Sequence, residues 1–118
     1  MEISELIDDW FLKWSNGDYQ NLPLSEDFEH TSPYGTITGR SNYLALVEES
    51  EDLFTGNTFT IHDKIVNNEI GCVRYTMNSP TTKMAVSEWF YAKEGLIHKI
   101  IAYYDRVVEK EGGRGIEI

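Results

Sequence analysis

Apolar side chains recur every three or four residues at the start of the chain, from Ile3 to Trp14. This spacing places them on one stripe of an amphipathic helix. The pair Asn16-Gly17 follows at once and is typical of a helix end. Because Trp10 and Trp14 lie one turn apart on the stripe, we expect the helix to present a large aromatic surface to the interior.

The next part of the chain predicts two more helices with a strand between them. Asp18 can cap a short helix, and residues 27–33 predict a short strand. Residues 34–39 contain two glycines and predict a turn. Ser41 is then expected to cap a second long helix, which ends before Gly56.

From Asn57 onward apolar and polar residues alternate, and this pattern is typical of strands. Turn signals divide this part into four long strands, the first beginning near residue 58 and the others covering residues 69–79, 83–93 and 96–109. Helices at one end of the chain and a meander at the other predict an α+β fold. We expect a curved antiparallel sheet that wraps around the N-terminal helices and encloses a cone-shaped pocket.

The composition indicates one domain and excludes several kinds of partner. The chain has 118 residues and a net charge of −10, which repels nucleic acid and anionic membrane surfaces. No apolar run is long enough to cross a membrane, and the acidic N-terminus does not resemble a secretion signal. The single Cys72 favours a reducing compartment, so we expect a cytoplasmic protein. We expect residues 1–109 to form the domain and residues 110–118 to form a mobile tail.

Two ionisable residues lie among apolar strand residues. His30 shares a predicted strand face with Phe28, and a histidine there can exchange a proton near neutral pH. The alternative is a buried histidine that is satisfied by a backbone carbonyl. Glu88 alternates with apolar residues, so burial would raise the pKa of its carboxyl. If the face of Trp89 were the inner one, Glu88 would instead lie in solvent.

A third ionisable candidate and a set of aromatic residues complete the predicted site. The face of Asp105 depends on register, because Ile100 and Ile101 are both apolar and a bulge would reverse the alternation. The aromatic residues expected to line the pocket are Trp10, Trp14, Tyr34, Tyr43, Phe54, Tyr75, Phe90 and Tyr103. The three histidines lie in different predicted elements without a short ligand motif, so we expect no metal site, and no cofactor is implied.

Four segments carry a family resemblance, namely Trp14-Ser15-Asn16-Gly17-Asp18, Phe28-Glu29-His30-Thr31-Ser32-Pro33-Tyr34-Gly35, Thr38-Gly39-Arg40, and Glu94-Gly95-Leu96-Ile97 leading to Ala102-Tyr103-Tyr104-Asp105. In this order and spacing they resemble the SnoaL-like branch of the nuclear transport factor 2 superfamily. The resemblance implies a cone built from a curved sheet and a long helix. Ketosteroid isomerase, scytalone dehydratase, limonene epoxide hydrolase and polyketide cyclases share that fold.

The resemblance also implies roles for individual residues. His30 takes the place of the carboxylate base of ketosteroid isomerase, Glu88 that of a protonated acid in its oxyanion hole, and Trp10 lies near the position of its tyrosine. Because the residue types differ at all three positions, steroid isomerisation is disfavoured. The segment Arg74-Tyr75-Thr76 lacks the aspartate of the epoxide hydrolase pattern, which disfavours that reaction as well. Asp105 takes a position that often points into the pocket mouth.

We therefore expect a domain that binds a small, mostly apolar organic molecule. As an enzyme it would catalyse isomerisation, dehydration or cyclisation next to a carbonyl, with His30 taking a proton and Glu88 donating a hydrogen bond to the enolate oxygen. The alternative is a non-catalytic ligand-binding or dimerisation module. In both cases we expect a homodimer through the outer sheet face, where Trp89 and Tyr91 lie.

Overall fold

The apolar stripe of the first helix decides the arrangement of the chain, because all six of its large side chains are buried against one face of a curved sheet. The computed structural model describes residues 2–105. Its helices are α1 (Ile3–Ser15), α2 (Arg40–Glu49) and α3 (Glu51–Phe54), with a short 3₁₀ helix at Tyr19–Asn21. Its strands are β1 (Leu24–Ser32), β2 (Gly35–Thr38), β3 (Thr58–Asn67), β4 (Ile70–Asn78), β5 (Lys83–Lys93) and β6 (Leu96–Tyr103).

The six strands form one sheet in the order β2-β1-β6-β5-β4-β3. Neighbouring strands are antiparallel except β1 and β6, which run parallel because the chain crosses the sheet between them. Tight turns join β3 to β4 and β5 to β6, with Asn68 and Glu94 in the left-handed region at φ 58° and 53°. The predicted α+β architecture, a curved sheet around N-terminal helices, is confirmed.

Helix α1 is held tightly to the sheet at its N-terminal end. The Nζ atom of Lys64 on β3 donates to Asp8 Oδ1 at 2.7 Å and to the Ser4 carbonyl at 3.1 Å. At Gly71 on β4 the helix approaches so closely that an added Cβ would lie 2.5 Å from Cδ1 of Ile7. The helix therefore closes one end of the sheet, and its last turns, which carry the tryptophans, extend over the other end.

Several local predictions were wrong in their boundaries. Residues 34–39 are not simply a turn, because residues 35–38 pair with β1 and form the edge strand β2. The second long helix begins after Gly39, at φ +97°, rather than at Ser41, and it is interrupted at Ser50. Local side-chain signals do not show this pairing, because it is a contact between two strands and not a property of residues 35–38 alone.

The remaining predictions on chain organisation lie at or beyond the described part. The expected tail, residues 110–118, lies outside the described residues, and so do the last residues of the expected 96–109 strand. None of the helices between residues 2 and 105 is long and apolar enough to span a membrane. The cytoplasmic location stays a prediction.

The close packing of α1 on Gly71 predicts a coupled effect on stability. Gly71→Ala should lower the free energy of unfolding by about 1–3 kcal/mol, because the buried Ile7 has little room to move away from the new methyl group. Ile7→Val removes the Cδ1 atom in question, so the double variant should lose less stability than the two single variants summed. Urea denaturation of the four proteins measures this coupling, and strictly additive losses would contradict it.

Candidate functional site

A cavity of about 390 Å³ lies between the concave face of the sheet and the helices. This is the size of a site for a small organic molecule, since such sites occupy about 300–1,000 Å³. Its wall is mostly aromatic and aliphatic, and the aromatic lining residues are Trp10, Trp14, Tyr34, Tyr43, Phe54, Phe59, Tyr75 and Tyr104. Among the described residues, no lysine or arginine lines it, and Glu88 is its one carboxylate.

Glu88 lies on the inner face of β5 and is only 4% exposed. The two possible faces of this strand are now distinguished, because its neighbours Val86 and Phe90 are buried while Trp89 is 39% exposed on the other side. The hydroxyl of Tyr75 donates to Glu88 Oε1 at 3.0 Å. Burial raises the pKa of Glu88 from 4.5 to about 7, although hydrogen bonds from Tyr75 and Trp10 oppose this rise.

His30 lies on the inner face of β1 and lines the same cavity. Its ring stacks on that of Tyr43, with 5.2 Å between centroids and 28° between planes. Burial lowers the pKa of His30 from 6.5 to about 4, because the imidazolium loses hydration in the apolar wall. The imidazole is therefore neutral at physiological pH and a weaker base than a free histidine, which differs from the proton exchange near neutral pH expected from the sequence.

His30 and Glu88 face one cavity but do not touch each other. Strand β6 lies between them, with Ile100 beside His30 and Ala102 beside Glu88. The backbones of His30 and Glu88 are two strand spacings apart across the sheet and two residues apart along it. Together these offsets separate the two backbones by about 12 Å. The gap is wide enough for a ring-sized ligand, so the two groups could act on opposite sides of one molecule.

Six of the eight aromatic residues predicted to line the pocket do so, and two do not. Phe90 is fully buried beneath Trp10, with ring centroids 5.9 Å apart, and does not reach the cavity. Tyr103 is 58% exposed on the outer face, and its neighbour Tyr104 lines the cavity instead. This correction follows from the alternation along β6, where the inward position of Ala102 sends Tyr103 outward.

Asp105 does not lie in the cavity either. It is exposed after the end of β6, and it is absent from the cavity wall. The sequence left its face open because both Ile100 and Ile101 are apolar. In the structure Ile100 is fully buried and Ile101 is only partly so, which fixes the alternation against Asp105.

Sequence reasoning missed three polar residues of the cavity wall, Ser32, Asn57 and Tyr104. Ser32 shares the alternation of Phe28 and His30, so that pattern could have identified it. Asn57 carries no such signal, because it lies in the irregular link between α3 and β3. Within residues 2–105, no group of three or more histidine, cysteine or acidic side chains is arranged to hold a metal ion.

Comparison with known proteins agrees with this architecture. A family model described as a SnoaL-like domain matches residues 7–100. A search of the curated proteins finds no match.

Three of the similar solved structures illustrate the range of the fold. An NTF2-like protein of unknown function from Cytophaga hutchinsonii is 18% identical, with 89% of this chain and 91% of that chain covered and a TM-score of 0.77. A candidate ketosteroid isomerase from Kribbella flavida is 18% identical, with coverages of 93% and 82% and a TM-score of 0.75. A candidate polyketide cyclase from Xanthomonas campestris pv. campestris is 15% identical, with coverages of 87% and 90% and a TM-score of 0.70. At such identities the likeness shows the fold alone.

The two shifted pKa values predict opposite effects of pH on stability. Between pH 4.5 and 7, Glu88 holds a proton only in the folded state, so its contribution to stability falls as the pH rises. Between pH 4 and 6.5, His30 holds a proton only in the unfolded state, so its contribution falls as the pH drops. The two slopes, each at most about 1.4 kcal/mol per pH unit, oppose each other between pH 4.5 and 6.5.

Single variants should separate these slopes. Relative to the wild type, Glu88→Gln should gain stability as the pH rises from 4.5 to 6.5, because only the His30 slope remains. His30→Gln should lose stability over the same range. Urea denaturation at several pH values measures all three proteins, and parallel pH curves would show that neither group titrates as described.

Proposed function

Since the chain belongs to the SnoaL-like domain family, we propose that its cavity binds a small, mostly apolar carbonyl compound and moves protons on it. The observation that carries the proposal is the placement of a buried carboxyl group, Glu88, and a neutral imidazole, His30, in one apolar cavity. Reactions of this class are isomerisation, dehydration and aldol-type cyclisation. They need an acid and a base, and no cofactor.

The lining favours an uncharged ligand. An anion would be desolvated among aromatic side chains, and no lysine or arginine of the described lining could pair with it, so its unpaired charge would be costly to bury. It would also approach a chain whose net charge is −10. A neutral molecule instead gains by burying apolar surface against the wall, and a carbonyl on it can accept one hydrogen bond from a protonated Glu88.

The proposed step transfers one proton. The imidazole of His30 takes a proton from the carbon next to the carbonyl, and the electron pair of that C–H bond forms the enolate. The protonated Glu88 donates a hydrogen bond to the enolate oxygen, where the negative charge develops. A ligand that displaces water from the cavity raises the pKa of Glu88 further, which favours this protonated form. The proton then returns to another carbon, or assists the departure of a hydroxyl group as water.

Exchange of α-protons tests this chemistry without knowledge of the natural substrate. In D₂O, the protein should accelerate deuterium uptake next to the carbonyl of 2-tetralone, an apolar bicyclic ketone, as followed by proton NMR. His30→Ala should slow the catalysed exchange by about a hundredfold, which is typical for loss of a general base. Glu88→Gln should slow it by about tenfold or more, because an amide is a weaker donor to an oxyanion than a carboxylic acid.

The controls are residues of the same type outside the cavity. His62→Ala and Glu26→Gln change exposed side chains that do not line the cavity, so both should exchange 2-tetralone like the wild type. Equal exchange in all five proteins would exclude the proposed roles. Tight binding of 2-tetralone without any accelerated exchange would instead favour the non-catalytic binding module.

We also propose that the outer sheet face joins two copies of the chain. Its centre carries one row of neighbouring residues across four strands, namely Ile65, Cys72, Trp89 and Ile101. Ile65 is 71% exposed and Trp89 is 39% exposed, so this row leaves apolar surface in water. A second copy related by twofold symmetry would cover that surface with the same residues.

Trp89→Asp should convert the dimer into a monomer, because a carboxylate at the centre of the row would be buried without a partner. Trp89→Phe keeps an apolar ring there and should remain dimeric. Analytical ultracentrifugation at micromolar concentration distinguishes the two states. A monomeric wild type, or a Trp89→Asp protein that still dimerises, would contradict the proposed interface.

A further inference from the structure

The cavity contains a polar side chain that the proposed proton transfer does not use. Asn57, between α3 and β3, lines the cavity and is 7% exposed. Its side-chain nitrogen donates to the Leu53 carbonyl at 3.4 Å and to Met77 Sδ at 3.6 Å. The contact with the Leu53 carbonyl is long for an N–H···O hydrogen bond, whose usual distance is about 2.9 Å, and a thioether sulfur such as that of Met77 is a weak acceptor. They orient the amide more than they stabilise it.

This orientation leaves the amide oxygen for the cavity. Turning the amide over would place Oδ1 against the Leu53 carbonyl oxygen, so the nitrogen is the atom that belongs there. No donor among residues 2–105 makes a hydrogen bond to Oδ1 of Asn57. The oxygen is not shut off from accessible space, and Asn57 lines the cavity, so a donor on a bound ligand can replace water at Oδ1.

We propose that Asn57 is a specificity-determining residue whose Oδ1 accepts a hydrogen bond from a hydroxyl or N–H group of the ligand. This inference rests on the proposed function, because it concerns the ligand of the same cavity. It adds that the ligand is not only apolar with one carbonyl, but carries a hydrogen-bond donor at the end remote from Glu88.

The strand register supports this separation. Asn57 contacts Met77, which pairs with Met84 on β5, and Glu88 lies four residues further along that strand. Four residues correspond to about 13 Å at ~3.3 Å per residue. A fused two-ring skeleton with oxygen atoms at opposite ends can extend over much of that distance.

The test compares the affinities of two probes, 2-tetralone and 6-hydroxy-2-tetralone, by isothermal titration calorimetry. The wild type should bind the hydroxylated probe about fivefold more tightly, the effect of one net hydrogen bond. Asn57→Leu, which keeps the volume, and Asn57→Ala, which adds no bulk, should both abolish this preference. Asn57→Asp retains an acceptor oxygen but no N–H, so it should retain the preference.

These variants separate ligand recognition from a structural role. If the N–H contacts to Leu53 and Met77 were what mattered, Asn57→Asp would lose the preference together with Asn57→Leu, and the inference would be overturned. A preference that survives in Asn57→Leu and Asn57→Ala would overturn it too. Binding and exchange of 2-tetralone without a preference for the hydroxylated probe would refute the role of Asn57 and leave the proposed function standing. Failure to bind either probe would remove both.

Discussion

The arrangement of this protein depends on how one helix fills a curved sheet. The stripe of α1 covers the concave face closely at its N-terminal end, where Gly71 has no side chain and Lys64 binds the helix. Toward its C-terminal end Trp10 and Trp14 also line the cavity, although the ring of Trp10 packs on Phe90 of the sheet as well. The same packing that forms the core therefore forms the cavity, and the tryptophans belong to both.

Burying the carboxyl group of Glu88 within this packing costs free energy. It lies at the centre of an inward strand face, and the Tyr75 hydroxyl at 3.0 Å compensates for only part of its lost hydration. Tyr43 and Tyr75 have pKa values well above 10, for which burial and the nearby Glu88 are the main causes, so both stay neutral donors. The local environment thus holds the carboxyl near the midpoint of its titration, a condition suited to exchanging a proton.

The alternation of residues predicted the inner face of β1, and the hydrophobic spacing predicted α1 almost to the residue, because both signals are local. The same reasoning identified His30 correctly as an inward residue. It left Glu88 open, because both faces of β5 carry large apolar side chains, and only the packing of α1 decides between Phe90 and Trp89. It misplaced Tyr103, since the alternation at the end of β6 depends on pairing with β5, and it had no signal for Asn57 in an irregular link.

The stability of the fold alone does not readily explain why His30 and Glu88 both lie in an apolar cavity. A glutamine at Glu88 could accept the same bond from Tyr75 without a titrating group, and an apolar residue at His30 could stack on Tyr43 equally well. Each ionisable group lowers stability on one side of its pH range, and a sequence optimised for stability alone would avoid both. Under the proposed function, proton transfer with a ligand is the reason that both groups lie in one apolar cavity, where the fold alone does not require them.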